Sequence, residues 1–144
     1  MTKQLHNSIF YADDDVDDLD FFKEAVDEIN LPLCLFEEGD KLLYRLNNPP
    51  PKASLIFLDL NMPVKSGFDV LREIKSRPTT IDIPVIIFTT SSNPHDIELS
   101  KKLGANLYIR KPASVGALKK AIDHVLSIDW SNFVPSDKEF VYQN

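Results

Sequence analysis

Ser8-Ile9-Phe10-Tyr11-Ala12 is a short apolar run that stops abruptly at Asp13-Asp14-Asp15. Aromatic and β-branched residues fill it, which predicts a buried strand. The residues that follow change period. Leu19, Phe22, Val26 and Ile29 recur in three- and four-residue steps, predicting an amphipathic helix from 17 to about 29. A buried strand that ends in acid and feeds a helix opens an α/β unit.

The rest of the chain repeats that alternation. Residues 33–36 predict a short strand. Leu42, Leu43 and Leu46 predict a helix closed by Asn47-Asn48-Pro49-Pro50-Pro51, since consecutive prolines cannot continue one. Leu55-Ile56-Phe57-Leu58 reads as an uninterrupted apolar strand ending at Asp59. A loop with Pro63 and Gly67 leads into a helix carrying Phe68, Val70, Leu71 and Ile74. Val85-Ile86-Ile87-Phe88 is the next strand, and it ends at Thr89-Thr90-Ser91-Ser92. A helix over about 94–103 follows, with Gly104 suited to stop it. Leu107-Tyr108-Ile109 is a strand ending at Lys111-Pro112, and 115–126 is the last clear helix. Five strand–helix pairs predict an α/β fold: a five-stranded parallel sheet between two helical layers, with five helices, in one domain over 1–126. Residues 127–144 carry Trp130, Phe133, Phe140 and Tyr142. Too short for a domain and too aromatic for a featureless tail, they are expected to pack on the body or to make a dimer contact.

Composition removes other classes. The chain has 144 residues, 43% of them hydrophobic, which suits one domain with a buried core. The lone Cys34 rules out an intramolecular disulfide and points to a reducing compartment. His6, His95 and His124 stand isolated and no CxxC pair exists, so a zinc site is not expected. The four glycines lie far apart, and neither glycine-rich phosphate cradle can be written. A net charge of −6 argues against direct nucleic-acid binding. No apolar run approaches the roughly 18–20 residues of a membrane span. MTKQLHNS lacks the apolar core of a signal peptide, so a cytoplasmic protein is expected.

In an open α/β sheet, ligands bind beyond the C-terminal ends of the strands. The first strand delivers Asp13, Asp14 and Asp15 there. The third delivers Asp59, the fourth Thr89 and the fifth Lys111. Crowded carboxylates repel, and a cation or a proton must relieve them. An oxygen-only cluster suits Mg2+, so Asp13 and Asp14 are read as metal-binding. Asp15, Asp17, Asp18 and Asp20 are read instead as acidic decoration of a helix N-terminus. Asp59 at the rim of the core is a candidate nucleophile that would form an acyl phosphate. Lys111 would bind phosphate as a point charge, and Thr89 would donate a hydroxyl. Phosphoryl transfer onto Asp59 needs no base, because an ionised carboxylate is already the attacking group.

These residues resemble a receiver domain of two-component response regulators over about 8–126. The resemblance is carried by Ile9-Phe10-Tyr11-Ala12-Asp13-Asp14-Asp15 and Leu58-Asp59-Leu60-Asn61-Met62-Pro63 with Gly67. Ile83-Pro84-Val85-Ile86-Ile87-Phe88-Thr89, Leu103-Gly104-Ala105 and Tyr108-Ile109-Arg110-Lys111-Pro112 complete it. It implies the flavodoxin-like strand order 2-1-3-4-5. It implies that Asp59 is the phosphoacceptor and that Asp13 and Asp14 form the acidic pair around Mg2+. Asn61 would lend a backbone carbonyl to that metal, and Lys111 would pair with the phosphoryl group. Thr89 and Tyr108 would form a switch couple in which the hydroxyl moves toward the phosphate and the ring turns inward. The partners implied are a sensor histidine kinase or phosphotransfer protein, and a downstream protein partner. The lengths of 31–51 and 77–83, with Thr90-Ser91-Ser92-Asn93, resemble stand-alone receivers of the phytochrome type, some of which form homodimers.

Two rivals remain at this point. A Mg2+-dependent aspartyl-phosphate phosphohydrolase would place an acid two residues after its nucleophile, where this chain has Asn61. A phosphorylation-independent interaction domain would have no need of both Asp59 and Lys111.

Overall fold

The computed structural model describes residues 7–143. Residues 1–6, which include His6 and most of the stretch read for a leader, lie outside that range, as does Asn144. The element order is β1 (Asn7–Ala12), α1 (Val16–Asp27), β2 (Leu33–Phe36), α2 (Gly39–Leu46), β3 (Lys52–Leu58) and α3 (Gly67–Lys75). It continues with β4 (Val85–Thr89), α4 (Pro94–Lys102), β5 (Leu107–Arg110), α5 (Val115–Ser127) and α6 (Asp137–Phe140). The five strands form one parallel sheet in the order β2-β1-β3-β4-β5, as expected.

Strand alternation sorts the core into two layers. Phe10, Ala12, Ile56, Leu58, Ile87 and Tyr108 face α2 and α3. Ile9, Tyr11, Leu55, Phe57, Ile86, Phe88 and Ile109 face α1 and α5. Every strand except the edge strand β2 is therefore buried on both sides, which is why the runs read as continuously apolar.

Local chemistry sets the helix ends. The Asp15 carboxylate accepts from the Asp17 and Asp18 N–H groups and caps α1. Asn93 caps α4 with Pro94 in its first turn, and Gly104 follows the helix at φ +103°, a conformation that costs glycine little. β3 begins at Lys52, three residues before its apolar run. Its first residues pair with Asn7 and Ser8 of β1 through a register shift, so hydrophobicity alone does not reveal them.

A sixth helix corrects the expected count of five. α6 has four residues, too few for a periodic signal. Ser136 and Glu139 close it reciprocally: the Ser136 Oγ accepts from the Glu139 N–H, and the Glu139 Oε1 accepts from the Ser136 N–H. The stretch from Trp130 onward wraps around the sheet edge at β5. Trp130 donates its indole N–H to the Val125 carbonyl, and Trp130, Phe133 and Tyr142 lie against the α1/α5 layer. Phe140 is buried on the opposite layer against Tyr108, with ring centroids 6.3 Å apart. Burial of a phenylalanine contributes roughly 1.5–3 kcal/mol, enough to hold a short segment down.

Gly67 fixes the loop after β3. A Cβ there would lie 2.2 Å from the Asp59 carbonyl oxygen and 2.7 Å from the Leu60 Cα, both backbone atoms that cannot step aside. The Gly67 N–H also donates to the Leu60 carbonyl. Gly67→Ala is expected to destabilise the fold by about 1–3 kcal/mol. Urea unfolding measures it, and an unchanged midpoint would contradict this packing.

Candidate functional site

The site is built where four strand ends come level. The ladder runs one residue beyond the strands. Asp13 N–H donates to the Phe36 carbonyl, Asp59 N–H to the Ala12 carbonyl, and Lys111 N–H to the Thr89 carbonyl. Register alone thus holds Asp13, Asp59, Thr89 and Lys111 at one edge of the sheet, although they come from distant parts of the chain.

Asp13 is 1% exposed and Asp59 4% exposed, whereas Asp14 faces solvent. One carboxylate oxygen from each lies within 4.8 Å of the others. The Lys111 Nζ stands 2.6 Å from Asp13 Oδ2, 2.7 Å from Asp18 Oδ2 and 3.7 Å from Asp59 Oδ1. Its charge also sits 5.9 Å above the Phe88 ring. Lys111 is therefore held on Asp13 and Asp18 rather than on Asp59.

Burial pushes the Asp59 carboxyl up to about 6. The Asp13 charge adds to this, Lys111 and the Thr89 hydroxyl pull the other way, and Asp14 contributes least. For Lys111, burial pulls the ammonium down. The hydrogen bonds to Asp13 and Asp18 and the Asp59 charge outweigh it and leave the group above its ordinary value. Three carboxylates with no sulfur or imidazole donor form a hard, oxygen-only cluster, and their mutual repulsion is the condition a divalent cation relieves.

Thr89 and Tyr108, the expected switch couple, meet through a third group. Thr89 is fully buried, and its hydroxyl accepts from the Ser91 N–H at 3.4 Å. The Tyr108 hydroxyl donates to the Ser91 carbonyl at 2.9 Å. The Ser91 hydroxyl in turn donates to Asp96 in α4 at 2.7 Å. The resemblance implies a ring that turns inward on phosphorylation. Here the Tyr108 ring already lies inside, 1% exposed, because Phe140 covers it. Asn61 stands on the exposed loop two residues beyond Asp59.

Sequence reasoning missed two members of the site. Asp18 was expected only to decorate α1, yet it grips Lys111 across the fold. No local signal marks it, since the pairing depends on how α1 packs beside α5, which brings Asp18 to the residue after β5. Tyr11 was read as core, yet its hydroxyl donates to Asp13 Oδ2 at 2.5 Å. A signal for it existed: residues two apart on a strand face the same side.

Comparison with known proteins agrees with this fold. The profile of the response regulator receiver domain matches residues 9–123. The response regulator Rcp1 of Synechocystis sp. is 42% identical over 77 residues, covering 54% of this chain and 52% of that protein. The crystal structure of Mn2+-bound Rcp1 superposes with a TM-score of 0.75 at 29% identity, covering 90% of this chain and 99% of that one. The phosphorylated cyanobacterial phytochrome response regulator RcpA superposes with a TM-score of 0.76 at 32% identity, covering 91% and 99%. The chain spans 25% and 52% of the length of two curated relatives it matches. Sheet order and profile coincide, and the chain belongs to the response regulator receiver domain family.

Proposed function

We propose that this chain accepts a phosphoryl group on Asp59 from a histidine kinase or phosphotransfer protein and passes the change to a downstream protein partner. One observation carries the reading: a buried carboxylate at a strand end, with Lys111 3.7 Å away and Asp13 and Asp14 beside it. In the reaction an Asp59 oxygen attacks phosphorus. The new P–O bond forms as the P–N bond of a phosphohistidine breaks, and the imidazole leaves with the electron pair. The transition state is loose and charge-rich, so positioning and charge do most of the catalysis.

Asp13, Asp14, Asp59 and the Asn61 carbonyl would hold Mg2+. When bound, that ion would supply positive charge to the phosphoryl oxygens. Lys111 shifts from Asp13 and Asp18 toward the new group. The Thr89 hydroxyl donates to a phosphoryl oxygen and draws on the Ser91 N–H it now holds. Because Ser91 also binds Tyr108 through its carbonyl, movement at Thr89 reaches Tyr108, the edge of the sheet and the tail.

The chain acts as a signalling protein rather than an enzyme on a separate substrate. Asn61 supports this, since it cannot serve as the acid a phosphohydrolase needs. Residues 1–126 form the receiver unit, and 127–144 a tail whose aromatic residues are engaged within one chain, which favours packing over a homodimer contact. Among the described residues no helix is long and apolar enough to cross a membrane. The net charge of −6 favours a protein partner over nucleic acid, and the lone Cys34 suits a reducing, cytoplasmic compartment.

Incubation with acetyl phosphate and Mg2+ is expected to add one hydroxylamine-labile phosphate, read by intact mass, and Asp59→Asn is expected to add none. An unmodified wild type, beside a control receiver that is modified, would defeat the reading. The Asp59 carboxyl gives a second expectation in cation-free buffer. Folding favours its neutral form, a contribution fully present below about pH 4 and lost as the pH rises through about 6. Asp59→Asn lacks that loss. Relative to wild type it is expected to gain about 2 kcal/mol between pH 4 and pH 7, most of the carboxyl's displacement. Urea unfolding at both pH values checks this, and parallel pH dependences would contradict it.

A further inference from the structure

Tyr11 has no part in the phosphoryl transfer just described, yet it is the best-placed buried polar group outside that machinery. Its side chain is fully buried on β1. The ring rests against Phe22 at 4.5 Å and edge-on to Phe88 at 5.5 Å, so it has little freedom. Its hydroxyl meets Asp13 Oδ2 at 2.5 Å, the same oxygen that Lys111 holds at 2.6 Å. Asp13 Oδ1 accepts the Asp15 N–H at 3.0 Å. A carboxylate offers about four lone-pair positions, and three are taken by the protein itself. Both donors from side chains fall on Oδ2, and Oδ1 keeps the remaining position.

We propose that Tyr11 is a positioning residue: its phenol holds Asp13 Oδ2 so that Lys111 can leave Asp13 for a phosphoryl group on Asp59. The inference rests on the proposed phosphoryl transfer. Lys111 cannot move to Asp59 without releasing at least one of its two carboxylates. Asp18 is half-buried and water can replace the lysine there, but Asp13 is 1% exposed and water cannot reach it readily. A buried carboxylate oxygen left with no donor is strongly disfavoured. The Tyr11 hydroxyl removes that penalty, because Oδ2 keeps one donor after the lysine has gone. The phenol also offsets part of the Asp13 charge and so weakens the pull of this carboxylate on a cation.

Tyr11→Phe tests this with little risk to the fold, since only the oxygen is lost and the ring contacts remain. Two opposite effects are expected. Mn2+ should bind about tenfold more tightly, as read by the paramagnetic resonance of free Mn2+, because Asp13 has lost a hydrogen bond to its charge. Phosphorylation by acetyl phosphate at saturating Mg2+ should slow by about tenfold, because Asp13 now retains Lys111. A merely loosened site would weaken both. In a Lys111→Met background, adding Tyr11→Phe should change the rate less than twofold, since no lysine remains to be released. Unchanged or weaker Mn2+ binding overturns the proposal, as does a rate loss that persists without Lys111. A wild type that takes no phosphoryl group defeats the functional reading instead. In that case the Mn2+ arm still decides whether the phenol governs Asp13.

Discussion

One ammonium group answers three carboxylates at the end of this sheet. Lys111 touches Asp13 and Asp18 and stands off Asp59 by 3.7 Å. Removing ions from water is expensive, and attraction offsets that cost only where hydrogen bonds complete the shell. The fold meets the condition by spending its most regular feature on it. Parallel register, extended one residue beyond the strands by backbone hydrogen bonds, sets the lysine and two of the acids level. Asp15 caps α1, which brings Asp18 round in the first turn to reach the lysine. The close approach of Gly67 to the Asp59 backbone fixes the loop that follows this second register-held carboxylate. With one ammonium facing three carboxylates, the arrangement remains short of positive charge. Burial first, and then the Asp13 charge, raises the affinity of Asp59 for a proton.

The sheet was legible from the chain because its strands are buried on both faces. Leu55 to Leu58 and Val85 to Phe88 carry no polar residue that could blur the reading. The site was legible for a related reason: chemistry placed directly after such a strand can only emerge at its C-terminal end. What escaped depends on distance across the fold. Asp18 and Asp17 look alike in sequence, and only the packing of α1 beside α5 separates the one that binds Lys111. α6 escaped because four residues hold no period, and the early start of β3 because Lys52 and Ser54 are not apolar. The aromatic tail was recognised as meaningful, but its route around β5 is a matter of packing that no local pattern encodes.

Thr89, Ser91, Tyr108 and Phe140 form one contiguous path from the site to the tail. Each step is a hydrogen bond or a ring contact between buried or half-buried groups. Ser91 is its hinge, using its N–H toward Thr89, its carbonyl toward Tyr108 and its hydroxyl toward Asp96. Such a residue cannot shift for one partner without disturbing the other two. Tyr108 lies inside, packed against Phe140, rather than free in solvent.

The route of the tail has a consequence for life in a crowded solution. An open parallel sheet ends in strands with unpaired backbone groups, and these invite pairing with other chains. β2 is one such border and is only four residues long. β5 is the other. There Val141 forms a parallel bridge with Tyr108, and the Tyr142 N–H donates to the Tyr108 carbonyl at 2.9 Å. The chain thus lays its own tail along this border and occupies the Tyr108 position of the exposed edge from within.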